Sequence, residues 1–426
     1  MPVLFVGDIH LGRRPSGLDG AFAAAGLDAV RLAPAAAWRS TVELAERTRP
    51  RAVVLAGDVV DDERDRFEAY AHLERGVRQL VDLGIPVLGV AGNHDVLVLP
   101  RLADRIKAFR LLGRDGRWEC VPLEGDGPDM DLVGWSFPRP RVLDDPLDHA
   151  SFQGALAGCR AGAALLGVMH GDLGARGSPY APIDARKMAE GEVAGWFLGH
   201  IHRPDDLTGP RPIGYLGSLT GMDAGEPGVH GPWNVQVEGG QVRARQEPLA
   251  PVRWEALDVA LGDDCTYRDA VHARVCAAAA QRALDPTFAD PRLRCVIARV
   301  TLSGRSAGHA AARAFAREHQ PDRDLLDVAG RPWIIDRVVA ATQPPIDLVA
   351  LAAEASPAGR VAARILELER GGADDLVVRA DAQVERLSTG RWQLGSNDAR
   401  MDPRAALLKA AWRALDALLA HRSEAQ

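Results

Sequence analysis

Residues 87–95 read Val-Leu-Gly-Val-Ala-Gly-Asn-His-Asp, and the reading of the N-terminal half works outward from this stretch. Val87, Leu88, Val90 and Ala91 make an apolar run that is too short for a helix and rich enough in branched residues for a buried strand. Gly92-Asn93-His94-Asp95 follows at once and puts an amide, an imidazole and a carboxylate into one turn. The arrangement recurs on both sides. Asp8 and His10 follow the run 3–6, Asp58 follows 52–56, His170 follows 165–169, and His200 and His202 follow 196–198. Short, fully apolar strands predict a sheet covered on both faces. Such sheets collect ligands in the loops at the carboxyl ends of their strands. All of these motifs sit at such ends.

The residue types suit divalent metals. Asp8 and His10 lie two apart and, if the strand pattern continues, point to the same side. Taken alone they read equally well as a turn and a surface histidine. Gly57 lets the backbone turn sharply, so that Asp58, whose two oxygens offer about four lone-pair sites, is able to bridge two ions. On its own a Gly-Asp pair is also a helix cap. Asn93 offers a neutral carbonyl ligand. His94 beside it is placed to reach a scissile phosphate without binding metal, and Asp95 to fix its tautomer. A tight turn would use the same Asn and Asp. His200 and His202 stand at strand spacing, each open to a different metal. Carboxylate, amide oxygen and imidazole together are the kit for two divalent transition ions side by side. Phosphodiester cleavage needs a hydroxide nucleophile, neutralisation of the non-bridging oxygens and a proton for the leaving group. Two metals about 3.5–4 Å apart supply the first two, and a neighbouring histidine the third.

A chain of 426 residues is too long for one compact core, so two or three domains are expected. Hydrophobic residues at 47% and charged residues at 26% are ordinary for a globular protein. A net charge of -7 gives no global signal for nucleic acid. Cys120, Cys159, Cys265, Cys276 and Cys295 contain no CxxC pair and read as reduced thiols, neither a disulfide framework nor a zinc site. The N-terminus runs straight into the first motif without a basic leader, and no apolar run approaches the roughly 20 residues of a membrane span. A cytoplasmic protein with no membrane contact is expected.

Helical patterns are predicted at 35–47 and 66–83, the second closed by Gly84 and Pro86. Further strands are expected at 132–134, 213–216, 233–237 and 241–246, the last two around Gly239-Gly240. After Pro248–Pro251 the pattern changes to strand 254–259, helix 267–284, strand 295–302 and helix 307–319, a small α+β domain. Beyond Pro344-Pro345 the chain reads as helical. Ser356-Pro357 and Asp402-Pro403 are helix starts, followed by the stripes Val361, Ile365, Leu368 and Leu408, Trp412, Leu415, Leu419. The expected division is 1–250, 251–345 and 346–426.

The ordered set Asp8-x-His10, Gly57-Asp58, Gly92-Asn93-His94-Asp95, His170 and Gly199-His200-x-His202 resembles the calcineurin-like metallophosphoesterase superfamily. Within it, His10-Leu11-Gly12, Gly217-Ser218 and Gly225-Glu226, with the added domains, are most similar to SbcD-type DNA repair nucleases. The resemblance implies an α/β fold, a four-layer β-sandwich flanked by helices, with a small α+β capping domain and a helical C-terminal tail. It implies one metal at Asp8, His10, Asp58 and His202 and a second at Asp58, Asn93, His170 and His200, with manganese as the usual ion. His94 would be the phosphate-facing catalytic histidine and Asp95 its orienter. The substrate would be DNA, oriented by the capping domain. The tail would dock on the coiled coil of an SMC-like (SbcC-type) ATPase, and a homodimer would form through catalytic-domain helices. Arg13, Arg14 and Arg101 flank the metal loops and are candidates for DNA phosphate contacts. Two departures bear on substrate choice. Val96-Leu97-Val98 stands where small and polar residues are expected, and Gly57–Asp62 is more acidic than the family's G-D-x-x-D. The competing readings are a phosphoesterase of the same fold acting on a small phosphodiester or other non-DNA substrate, and a non-catalytic assembly subunit.

Overall fold

The computed structural model describes residues 1–13, 17–61, 66–389 and 402–424. Its first sheet is built from β1 (Val3–Val6), β2 (Val53–Ala56), β3 (Val87–Val90) and β4 (Phe109–Leu111). The second is built from β5 (Glu119–Leu123), β6 (Met130–Trp135), β7 (Ala164–His170), β8 (Gly195–Gly199) and β9 (Ile213–Tyr215). The hairpin β10 (Trp233–Glu238) and β11 (Gln241–Gln246) returns to the first sheet, giving the order β11-β10-β1-β2-β3-β4. Strands β1 to β4 run parallel, as do β6 to β9; β5 and β10 pair antiparallel with their neighbours.

The two sheets face each other across one core of Phe5, Val54, Val90, Leu132, Val168 and Phe197, in which Phe5 and Phe197 stack at 4.2 Å. The outer face of the first sheet is covered by the helices Pro34–Thr48 and Arg66–Asp82 through Trp38, Val42, Leu73 and Val77. Trp118, Trp135, Trp196 and Met188 cover the outer face of the second. This is the expected sandwich with helices outside, and it explains why β1, β2 and β3 are apolar at every position. The helix Arg66–Asp82 stops where expected: Gly84 takes φ +76°, and the amides of Gly84 and Ile85 return to the Val81 and Leu80 carbonyls at 2.8 and 2.9 Å.

A further sheet, β12 (Val252–Ala260), β13 (Cys295–Ser303), β14 (Leu326–Val328) and β15 (Arg331–Ala340), has the order β12-β13-β15-β14 and packs the helices Arg268–Arg282 and His309–Glu318 on one face through Val271, Val275, Ala312 and Phe315. Residues 1–304 and 308–342 form one compact unit; residues 305–307 and 343–426 form another. Within the second, Ser356 caps the helix Pro357–Glu369, its Oγ accepting from the Gly359 amide at 3.0 Å. Of the two predicted apolar stripes, Val361 and Ile365 pack with Leu408, Trp412, Leu415 and Leu419, and Ile365 and Leu415 are fully buried. Among the described residues no helix is long and apolar enough to cross a membrane.

One expectation is corrected. Cys120 on β5 and Cys159, just past the helix Ser151–Ala157, form a disulfide with Cα atoms 5.9 Å apart. Their separation of 39 residues carries no local pattern; the antiparallel edge strand brings them together. Cys265, Cys276 and Cys295 are free, as read.

Candidate metal centre

The carboxyl ends of β1, β2, β3, β7 and β8 meet at one edge of the sandwich. Asp8 and His10 follow β1, Asp58 follows β2, Asn93 to Asp95 follow β3, His170 ends β7, and His200 and His202 follow β8. The loops are zipped together: the His10 and Leu11 amides donate to the Asp58 and Val59 carbonyls at 2.9 and 2.8 Å. His10, Asp58 and His200 all hold positive φ (52, 46 and 109°), a cost concentrated on these loops. Gly57 is required for close approach, since a Cβ there would stand 2.7 Å from His170 Nδ1. At Gly92 a Cβ would press into Asp58, 2.7 Å from its amide nitrogen.

Each imidazole has one nitrogen tied outside the centre and the other turned inward. His10 Nδ1 donates to Asp61 Oδ1 at 2.8 Å. His202 Nδ1 donates to Glu226 Oε1 at 2.6 Å. His200 Nε2 stands 3.1 Å from Asp172 Oδ1, and His170 Nδ1 donates to the Ala56 carbonyl at 3.1 Å. The inward atoms then crowd. His10 Nε2 and His202 Nε2 lie 3.0 Å apart, and Asn93 Oδ1 lies 3.0 Å from His170 Nε2 and 3.2 Å from His200 Nδ1. Asp58 Oδ2 is 3.3 Å from His170 Nε2. Two donor groups result, Asp8 with His10 and His202, and Asp8 with Asp58 and His170; within each, the donor atoms lie within 4.8 Å of one another. With both Nδ1 atoms donating outward, the facing Nε2 atoms of His10 and His202 present lone pairs to each other. That contact is repulsive unless a proton or a metal ion lies between them. The donor set therefore fits a pair of divalent ions.

The charges agree. Burial would raise the Asp58 carboxyl, but the charge and hydrogen bond of His170, then His10 and His94, hold it well below the usual range. Burial works against protonation of His170, yet Asp58 and Asp8 push it up to about 9. His200 is lowered by burial and by the charge of His170. Against burial, the His202 partner draws Glu226 down to about 2, and Glu226 raises His202 in turn.

The predicted ligands, with His94 and Asp95, stand at this edge, with adjustments. His94 is exposed; its ring lies edge-on to His10 at 5.5 Å, outside both donor groups. Asp95 does not orient it. Both Asp95 oxygens accept backbone amides, from Gly92 at 2.8 Å and Val59 at 2.7 Å, so the carboxylate clamps the β2 and β3 loops together. Burial, then the charge of Asp58, pushes it up to about 7. Arg13 lies 3.9 Å from Asp61, so part of its charge faces a carboxylate. Arg101 is exposed on the short helix Leu99–Arg105. Arg14 lies outside the described residues. Three residues not predicted as site members are Asp61, Asp172 and Glu226, which hold His10, His200 and His202. Their signals were present, in Gly57–Asp62, His170-Gly171-Asp172 and Gly225-Glu226.

When bound, two divalent ions would activate water and neutralise a phosphate. The chain itself holds the donors on strained, hydrogen-bonded loops and leaves His94 exposed beside them.

Residues 1–204 match the family model described as calcineurin-like phosphoesterase. The chain is 26% identical over 239 residues to the uncharacterized metallophosphoesterase YhaO of Bacillus subtilis, covering 53% of this chain and 55% of YhaO. It is 39% identical over 93 residues to the DNA double-strand break repair protein Mre11 of Aeropyrum pernix, covering 22% of this chain and 20% of Mre11. The matched part thus spans about half the length of the first relative and a fifth of the second. Among solved structures, a dimetal phosphatase from Danio rerio aligns over 58% of this chain and 95% of its own at 13% identity, with a TM-score of 0.35. Thermus thermophilus TT1561 aligns over 57% and 98% at 11%, with a TM-score of 0.34. Both likenesses are too loose to bear on function. Residues 1–204 are thus similar to the calcineurin-like metallophosphoesterases.

Proposed function

We propose that this protein hydrolyses phosphodiester bonds in DNA with two manganese ions, as the nuclease subunit of a repair complex. The observation that carries the reading is the pair of overlapping donor groups with His94 exposed 5.5 Å from His10. Asp8, His10, Asp58 and His202 would hold one ion and Asp58, Asn93, His170 and His200 the other. His94 would protonate the leaving oxygen. The partial likeness to an archaeal Mre11 supports DNA as the substrate. The order of the added elements after residue 250 supports an SMC-like ATPase as partner.

The test is digestion of linear double-stranded and circular single-stranded DNA with manganese by wild type and His94→Ala. Degradation by wild type alone is expected. Cleavage of a small phosphodiester with none of DNA would replace the substrate in this reading, and equal degradation by both proteins would remove His94 from the chemistry.

A further inference from the structure

Glu226 is 5% exposed, yet among the described residues it pairs with no Lys or Arg; its partners are His202, Ser218 and the Met222 amide. One oxygen accepts a hydrogen bond from His202 Nδ1 at 2.6 Å. The other accepts from Ser218 Oγ at 2.8 Å and from the Met222 amide at 3.0 Å. These three bonds leave the carboxylate a single orientation. The loop that carries it is fixed at both ends. The Ser218 amide donates to the His202 carbonyl at 2.8 Å, and the Gly228 amide donates to the Trp254 carbonyl at 2.8 Å, beside a Pro227–Trp254 bridge to β12. Buried His230 fills the loop, its ring nitrogens 2.9 Å from the Ser218 carbonyl and 3.0 Å from the Glu226 carbonyl.

We propose that Glu226 is a positioning residue for the metal centre: it holds His202 in the Nδ1–H tautomer and aims the Nε2 lone pair at the Asp8–His10 group. Resting on the two-metal reading above, this extends it to a residue outside the donor set and to the loop that joins the centre to β12. A carboxylate behind a ligating imidazole fixes the ring and raises its basicity, and loss of such a partner typically costs about 10–100-fold in metal affinity.

The experiment is Mn2+ titration of the full chain by calorimetry, with electron paramagnetic resonance of the loaded protein, for wild type, Glu226→Ala and Glu226→Gln. Wild type is expected to bind two ions and give a spin-coupled signal. Glu226→Ala should weaken one ion by about 10–100-fold, leave the other near normal and give the signal of isolated Mn2+. Glu226→Gln keeps a neutral acceptor and should recover part of the loss; it carries the test alone if the alanine variant does not fold. Two ions bound at wild-type affinity by the folded variants would overturn the inference alone, and so would equal weakening of both ions, which marks a general structural role. Failure of wild type to bind two ions would overturn the two-metal reading and this inference with it.

Discussion

The metal edge of the sandwich and the β12 strand both bury charge, and they do it in opposite ways. Beside β12, Arg253 and Glu255 are almost fully buried and form an ion pair. Arg282 reaches Glu255 and Asp285 at 3.0 Å each, Thr287 accepts from Arg253 at 2.7 Å, and Arg253 stacks 3.8 Å over Phe288. Each charge there has its opposite, so the network is closed. At the sandwich edge, lone pairs face lone pairs: His10 Nε2 against His202 Nε2, and Asn93 Oδ1 against His200 Nδ1. Buried charge alone marks nothing. An excess of converging electron donors, held on loops at positive φ, marks a site suited to cations.

The comparison is easiest to break at its centre. Asp58→Ala should abolish binding of both ions and drop hydrolysis to that of a chelated control, because in the proposed ligand set this carboxylate serves both ions. Retention of one ion at full affinity, measured by calorimetry, would remove the bridging role. His94→Ala should keep both ions and lower the hydrolytic rate about 10²–10⁴-fold. Parallel loss of manganese would make His94 a ligand. Glu255→Ala should do the reverse of both. It leaves two arginines without their shared carboxylate and should cost about 3–5 kcal/mol of stability, as breaking a buried pair does, while the folded fraction binds manganese normally. A melting temperature equal to that of wild type would show that the β12 network is less closed than its contacts imply.

The legibility of the chain follows the same division. The ligand loops were readable because the decisive chemistry is local: a buried strand, a glycine and one or two donors fall within a few residues. Of the strands that escaped, β4, β5 and β14 are edge strands with one neighbour each, so their burial alternates and their apolar signal is thin; β15 is central, between β13 and β14, but Pro332, Asp336 and Arg337 interrupt its apolar run. Asp61 and Glu226 were not assigned because their partners lie 51 and 24 residues away, and only folding sets those distances. The Cys120–Cys159 bond escaped for the same reason. Asp95 was placed in the right loop and given the wrong partner, since its neighbour in sequence, His94, is not its neighbour in hydrogen bonding. The odd Val96-Leu97-Val98 now has a physical account. Val96 enters the core outside the second sheet and Val98 the core outside the first, so the loop pins both sheets while Leu97 is left 52% exposed.

The smallest effect sharpens the comparison through pH. His170, wedged beside Asp58 and Asp8, carries its proton up to about 9 despite burial. A raised histidine stabilises the fold fully below its unfolded value of about 6.5, and that contribution is lost as pH rises through about 9. Chelated protein should therefore lose stability across this window. Manganese must displace the same proton, so its apparent affinity should climb with pH, by at most about tenfold per unit, and level off above the folded value. The two slopes have opposite signs because one proton serves both. Titrations in buffers of different ionisation enthalpy should show proton release on manganese binding that fades above about pH 9. The Arg253–Glu255–Arg282 network contains no histidine, so Glu255→Ala should shift the chelated stability curve down without changing its slope. A flat chelated curve together with proton-independent manganese binding would mean that His170 is already neutral, and the centre would then be held open by geometry alone.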